Sequence, residues 1–391
     1  MHILLLADGR SPITKSWIKT LQPLGYRISL VSSFPCDLID GVELAAVLPV
    51  AFARFGGSQA GNGAKPSARK GLIARFRPLL AGVRHALGPW TIPYYQRIFK
   101  QIVETLNPDL VHALRIPYEG MLAAATLKTV PLVISTWGND FTLHASATRL
   151  MGDLTRRVMA RADALMSDTA MDIDRASEWG FSSAKPSLTV VGNGGLDLEK
   201  IVSISHQVKR AKPLQVINPR GLRSYVRSDT FFKTIPLVLA QHPETQFVCV
   251  SMAGQKEALD WVEKLGIQNN VKLLPFLSQE ELFTEYAKAT ISVSISEHDG
   301  TPNSLLEAMA FGCLLVCGDI PSIREWIEPG VNGTLANPGS PEQAAEAMIA
   351  LIDNPGKYEK WIDRNRKLVK ERADRQKLPG VLDEFYKRVG K

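Results

Sequence analysis

Cysteine is scarce in this chain: Cys36, Cys249, Cys313 and Cys317 are the only four in 391 residues. That excludes a scaffold built on disulfides, and with no CxxC pair no four-ligand set stands at zinc spacing. The thiols read as small buried residues of a reducing compartment. Long apolar runs are missing as well. No stretch approaches the ~20 residues that span a bilayer. The opening MHILLLADG has neither the basic start nor the apolar length of a secretion signal, so it reads as a first core strand in a cytoplasmic protein. The glycine-rich segment 55–65 lacks a following Gly-Lys-Ser/Thr, which excludes a phosphate loop. Acids, finally, are absent from Leu44 to Val103.

That acid-free stretch carries Arg54, Lys65, Arg69, Lys70, Arg75, Arg77, Arg84, Arg97 and Lys100, nine cations against a net charge of +7 for the whole chain. The remainder is therefore slightly acidic. Leu72, Ile73, Phe76, Leu79, Leu80, Trp90, Tyr94 and Tyr95 are interleaved with them. Cations mixed with aromatics suit contact with an anionic lipid surface, at ~1 kcal/mol per cation. No nucleic-acid recognition motif accompanies the charge, and no nucleic-acid partner is expected. A peripheral position on the cytoplasmic face of a membrane follows as an expectation.

What is present is an ordinary globular composition, 45% hydrophobic and 22% charged, in a chain too long for one core. Apolar runs at 3–7, 28–32, 110–113, 132–135, 164–166 and 188–191 read as strands, with amphipathic stretches such as 94–106 and 122–127 between them. The second half restarts the alternation with strands at 214–218, 247–251 and 271–274. Its helices fall near 230–240, 257–265 and 341–352. Such alternation predicts an α/β chain with parallel sheets covered by helices on both faces. The expected division is 1–200, with the basic-aromatic insertion near 51–103, then 201–375. A helix at 376–391 carries an apolar face of Leu378, Leu382, Phe385 and Tyr386. The polar stretch 198–213 reads as the link.

The densest signal is ISVSISEHDGTPNSLLEAMAFGCLLVCG at 291–318. Ile291, Val293 and Ile295 alternate with Ser292, Ser294 and Ser296, as in a strand. Thr301 reads as an N-cap and Pro302 as the first helical residue. The amides of Asn303, Ser304 and Leu305 then form an anion site at the helix start. Glu307, one turn along, is placed to take ribose hydroxyls. Asp299 and Glu307 enclose seven residues, and DGTPNSLLEAMAFG resembles the acidic-x7-Glu signature of glycosyltransferase family 4. The resemblance implies a GT-B fold, two Rossmann-like domains facing across a cleft. It also implies retaining transfer from a nucleoside-diphosphate sugar. Asp299 stands where the family usually has Glu; Glu297 is the alternative, and Asp299 fits the spacing without a gap.

The same resemblance assigns the other site residues. VINPRGLRSYVR aligns Arg220 with the family's arginine and Arg227, or secondly Arg223, with its lysine. Gly254 matches the glycine after the next strand, and Phe276 lies where relatives place the base; Gly300, Thr301 and the 303–305 amides complete the donor site. On the acceptor side the resemblance points to Gly9, where one glycine of the usual pair is missing. It points also to His112, and to Trp137 in place of a histidine, which shifts interest to Asp140 in the same loop. Asn193, Gly194 and Asp197 match a turn with a structural part. Asp172-Ile173-Asp174, the only Asp-x-Asp, reads as the first turn of a solvated helix. No metal and no cofactor are therefore expected, with Arg220 and Arg227 helping the diphosphate leave. The expected function is sugar transfer to a hydroxyl acceptor, lipid-linked or part of an envelope polysaccharide. A nucleotide-sugar epimerase of the same architecture and a catalytically silent nucleotide-sugar-binding scaffold are the alternatives.

Overall fold

The computed structural model describes residues 1–55, 77–191, 194–223 and 225–390; the segment 56–76 and Asn193, named above, lie outside them. The chain divides into two compact units, Met1–Gly194 with Lys377–Lys391, and Gly195–Gln376.

The first unit holds seven described strands: β1 (His2–Ala7), β2 (Arg27–Ser32), β3 (Glu43–Val47), β4 (Leu110–Ala113), β5 (Leu132–Thr136), β6 (Ala164–Ser167) and β7 (Ser187–Thr189). They form one parallel sheet in the order β3-β2-β1-β4-β5-β6-β7. Its helices are α1 (Pro12–Leu21), α2 (Arg77–Leu87), α3 (Ile92–Leu106), α4 (Met121–Thr126), α5 (Arg149–Arg161) and α6 (Ala170–Glu178). Residues of β1 sort by twos between two cores, Ile3 and Leu5 packing with Trp17 and Leu382, Leu4 and Leu6 with Phe99 and Ile134. Both faces are thus covered, which is why the strands read as continuous apolar runs. In α6, Asp172 is buried and ion-paired with Arg175 at 2.8 Å. Of the two acids in that first turn only Asp174 is exposed as expected; Asp172 faces inward, its amide bonded to the Thr169 hydroxyl.

The second unit has β8 (Gln215–Asn218), β9 (Gln246–Cys249), β10 (Val271–Leu273), β11 (Ile291–Ser294), β12 (Leu314–Gly318) and β13 (Thr334–Ala336), parallel in the order β10-β9-β8-β11-β12-β13. Its helices are α7 (Leu198–Gln207), α8 (Ser228–Leu239), α9 (Lys256–Leu265), α10 (Gln279–Lys288), α11 (Asn303–Phe311), α12 (Pro321–Arg324), α13 (Pro341–Asp353) and α14 (Glu359–Arg372). The chain then ends in α15 (Leu378–Val389), which packs in the first unit through Leu382, Phe385 and Tyr386.

One expectation changes here. Most of the stretch 198–213 is helix α7 rather than a link, since Asp197 caps it through the Lys200 amide at 3.0 Å and Ile201 is buried. The serines alternating along β11 are buried like the apolar residues, because β11 lies inside the sheet between β8 and β12. In each unit the strand order reverses beside one central strand, β1 or β8. In open sheets of this kind, ligands usually bind among the loops at the carboxyl edge beside such a switch point.

Arg210 holds the helix that carries Glu307. Its guanidinium donates to the carbonyls of Phe311 (2.9 Å) and Gly312 (2.7 Å) at the end of α11, and to Tyr286 (3.0 Å) and Ala289 at the end of α10. These carbonyls lie at the carboxyl ends of the two helices, where intrahelical donors run out, and a cation opposes both helix dipoles. Arg210→Ala is expected to cost about 1–2 kcal/mol, read as a melting temperature lower by about 2–6 °C. Arg210→Lys should recover only part, because a point charge cannot fork between two helix ends.

Candidate functional site

At the switch point of the second sheet the loops after β8 and β11 zip together. Val226 pairs antiparallel with Ser296, the Arg227 amide donates to the Ile295 carbonyl at 2.9 Å, and the Glu297 amide to Tyr225 at 3.0 Å. This brings Arg220, two residues past β8, to Asp299. One terminal nitrogen of Arg220 donates to Asp299 Oδ2 at 2.5 Å and the other to Ser304 Oγ at 3.1 Å, while Asn218 Oδ1 holds its amide. Arg220 Nε and Asn303 Oδ1 are buried with no partner among the described residues. A donor and an acceptor are therefore left over where the cluster meets the helix start. Burial pushes the Asp299 carboxyl up against the pull of Arg220.

Helix α11 starts one residue later than the sequence suggests. Pro302, with φ −70° and ψ 128°, is its N-cap, and Thr301 Oγ1 accepts from Trp326 Nε1 at 3.2 Å rather than capping. The Leu305 amide bonds back to the Pro302 carbonyl at 3.0 Å. The anion site is thus reduced to the amides of Asn303 and Ser304, the first two of the helix, which have no turn behind them. At the other end Gly312 takes φ +72°, and a Cβ there would meet Arg366 at 2.6 Å. That close approach fixes where the helix must stop.

Glu307 is buried and sits one turn behind those amides. The Tyr286 hydroxyl, wholly buried on α10, lies between Glu307 and the Ser304 carbonyl, 3.1 Å from the latter; its single hydrogen serves the carbonyl or, when Glu307 is ionised, the carboxylate. Burial pushes the Glu307 carboxyl up to about 7, and the hydrogen bond from Tyr286 opposes the rise. Tyr286 escapes the sequence reading because it reaches Glu307 from a neighbouring helix with no motif of its own.

The remaining donor-side residues separate. Arg227 is committed to Asp229 (2.8 and 2.9 Å) and Glu297 (2.7 Å), which hold it charged. This pairing also removes Glu297 as the alternative to Asp299. Arg223 is exposed, bonds only the Arg220 carbonyl and the Tyr225 hydroxyl among the described residues, and its charge lowers the Asp299 carboxyl. Of the two candidates Arg223 is the one available to an anion beside Arg220. Gly254 is exposed in the turn after β9, and Phe276, past β10, is 79% exposed rather than packed. The two turns are joined by the Ser251 amide on the Pro275 carbonyl at 3.2 Å.

In the first unit Trp137 and Asp140 share one turn, the Asp140 amide donating to the Trp137 carbonyl at 2.7 Å, while Gly9 and His112 have partners of their own. Gly9 is buried where a Cβ would meet Cys36 Sγ at 2.5 Å, so the glycine serves packing. His112 is wholly buried, bonded to Tyr386 (2.7 Å) and Ser135 (2.8 Å), and burial pushes it down to about 3. It is a neutral core residue that reaches no acceptor. Trp137 Nε1 donates to the Leu114 carbonyl. Asp140 is wholly buried and accepts from Arg115 (two bonds, 3.1 Å) and the Ile116 amide (3.2 Å). It positions Arg115 and is not placed for catalysis. Arginine only donates, so His144 Nε2 accepts from Arg115 at 3.0 Å, and its Nδ1–H then donates to His85 Nε2 at 2.9 Å. Arg115, unnoticed in the sequence, directly follows β4 at that sheet's own switch point.

Two family models cover most of the chain: "Glycosyl transferase 4-like domain" matches residues 9–194 and "Glycosyl transferases group 1" residues 202–368. The chain belongs to glycosyltransferase family 4. Among its relatives in the family is a D-inositol 3-phosphate glycosyltransferase of Thermobispora bispora, 24% identical over 54% of this chain and 52% of that one. Another is a GDP-mannose:cellobiosyl-diphosphopolyprenol alpha-mannosyltransferase of Xanthomonas campestris, 26% identical over 63% and 65%. The chain spans about half the length of the curated relatives it matches, 43% and 52% in two of them. Among solved structures, sucrose-phosphate synthase from Thermosynechococcus elongatus superposes with a TM-score of 0.72 at 12% identity, covering 99% of both chains. Anabaena HepE in complex with UDP-glucose gives 0.67 at 17% identity, covering 99% and 100%. Those likenesses establish the family's GT-B fold here, two units each built on a parallel sheet.

Proposed function

We propose that this family 4 protein is a retaining, metal-independent glycosyltransferase that moves a sugar from a nucleoside diphosphate to a hydroxyl acceptor. One observation carries the reading: Arg220, held between Asp299 and Ser304 at the start of α11, with Glu307 one turn behind. In this reading Glu307 takes the ribose hydroxyls and Asp299 orients the donor sugar. Arg220, Arg223 and the Asn303 and Ser304 amides carry the diphosphate. A helix start supplies ~0.3–1 kcal/mol, up to ~2, against ~8 or more for enzymatic acceleration. The guanidinium groups must therefore provide most of the charge stabilisation. The bond from the anomeric carbon to the phosphate oxygen breaks, its electron pair leaving with the diphosphate. The acceptor oxygen bonds the same face, and its proton passes to a phosphate oxygen.

The acceptor in this proposal is lipid-linked or an envelope saccharide, met on the cytoplasmic face of a membrane; the polyprenol substrate in the name of the Xanthomonas relative supports it. The test is to incubate the protein with single nucleotide sugars and no acceptor, following the released sugar by NMR. Slow release with the donor's anomeric configuration is expected. An isomerised donor would mean an epimerase, inversion would exclude the retaining step, and an intact donor at saturation would leave a binding protein.

A further inference from the structure

We propose that the outer side of α2, α3 and the turn between them docks this protein on an anionic lipid bilayer. Val83, Leu87, Trp90 and Tyr94 are all exposed, Trp90 by 74% and Tyr94 by 68%. Their spacing of four, three and four runs along a backbone that stays helical through Leu87, Gly88–Thr91 and Ile92. Gly88, Ile92, Phe99 and Val103 are buried on the other side and spend that side on the core. Among the described residues the exposed stripe is an open apolar ridge, apart from the edge-on contact of Tyr94 with its neighbour Tyr95, ring centroids 5.0 Å apart. Large aromatics set out singly are ordinary; four apolar residues in register are not.

A second observation adds to the ridge. Ala51 and Phe52 both take left-handed backbone angles, φ +54° and +57°, which cost side-chain-bearing residues energy. The Ala51 amide donates to Thr91 Oγ1 at 2.8 Å, tying this strained pair to the turn that carries Trp90. Ala51 is buried and Phe52 exposed, so the strained pair turns one more aromatic ring outward.

Charge selects the occupant. The ridge lies in the longest stretch without an acid, and exposed Arg97 continues it one turn past Tyr94. Apolar side chains beside exposed Arg97, in a segment whose charged residues before Glu104 are all cations, suit a fluid anionic surface, where aromatics sit at headgroup level. The inference deepens the membrane-facing part of the proposed function, and its test involves no sugar, so its failure leaves the transfer reading intact.

The full chain is sedimented with vesicles of phosphatidylcholine alone or mixed with phosphatidylglycerol, at low and at raised salt. Binding is expected only with phosphatidylglycerol, weakened by salt. Trp90→Ser with Tyr94→Ser should lower it about tenfold or more, and Arg97→Glu about fivefold or more, with unchanged melting temperatures. Absent binding, equal binding to neutral vesicles, or variants that bind like the parent would overturn the proposal. A soluble dimer abolished by Trp90→Ser would overturn it too, because a second copy would then cover the ridge.

Discussion

Arg220→Ala is expected to lower kcat for sugar transfer by about 10²–10³, with a smaller rise in KM for the donor. The reason lies in where the guanidinium stands. It bridges Asp299 and Ser304 beside the first amides of α11, and its Nε is still unspent. As the diphosphate leaves, charge grows on oxygens that these groups face, so their contribution is larger in the transition state than in the bound donor. The obvious objection is that the variant also strands Asp299, whose carboxyl burial already disfavours as an anion. Removing one partner of a buried pair costs up to about 3–5 kcal/mol, less here because the two side chains keep 10% and 15% exposure. Combining Arg220→Ala with Asp299→Asn separates the effects. The double variant should regain melting temperature without regaining kcat. If turnover returns with it, Arg220 serves only to neutralise Asp299, and the leaving-group assignment fails.

Much of this arrangement could be read from the chain because the signals were local. A parallel strand covered on both faces is a continuous apolar run, and β1, β2, β4 and β5 announce themselves that way. The short edge strands β3 and β13 do not: Glu43–Val47 and Thr334–Ala336 are only partly buried and carry little pattern. The spacing of Asp299, Asn303 and Glu307 is fixed by one loop and one helical turn, so it survives the passage from sequence to structure. Tertiary partners are what the chain does not spell out. Pro302 rather than Thr301 caps α11 because Trp326, from α12's flank, claims the threonine hydroxyl. Arg227 aligns better than Arg223 with the family's lysine, yet Asp229 and Glu297 occupy it. His112 stands at the carboxyl end of β4 and Asp140 in the loop after β5, where function collects, but both are engaged by partners distant in sequence, Tyr386 and Arg115.

The affinity for a nucleotide sugar should rise with pH and level off above about 7. Glu307 without ligand titrates at about 7 because burial disfavours its charge. Ribose hydroxyls donate hydrogen bonds, so the bound state favours the carboxylate and its pKa falls on binding. Binding therefore releases a proton, and affinity drops about tenfold per pH unit below that value until the bound-state pKa is reached. The phosphates of a nucleotide sugar are diesters that stay ionised throughout, which keeps the donor itself from titrating. Glu307→Gln should flatten the profile and weaken binding at high pH by about ten- to a hundredfold, the worth of hydrogen bonds to a charged group. Tyr286→Phe tests the sign from the other side. Its hydroxyl lowers the Glu307 carboxyl, so removing it should move the midpoint to higher pH while leaving the plateau nearly unchanged. Titrations by calorimetry in buffers of different ionisation enthalpy would count the proton directly. A profile flat for the parent protein, or a midpoint that Tyr286→Phe shifts downward, would detach Glu307 from the ribose and leave it a buried acid of the helix alone.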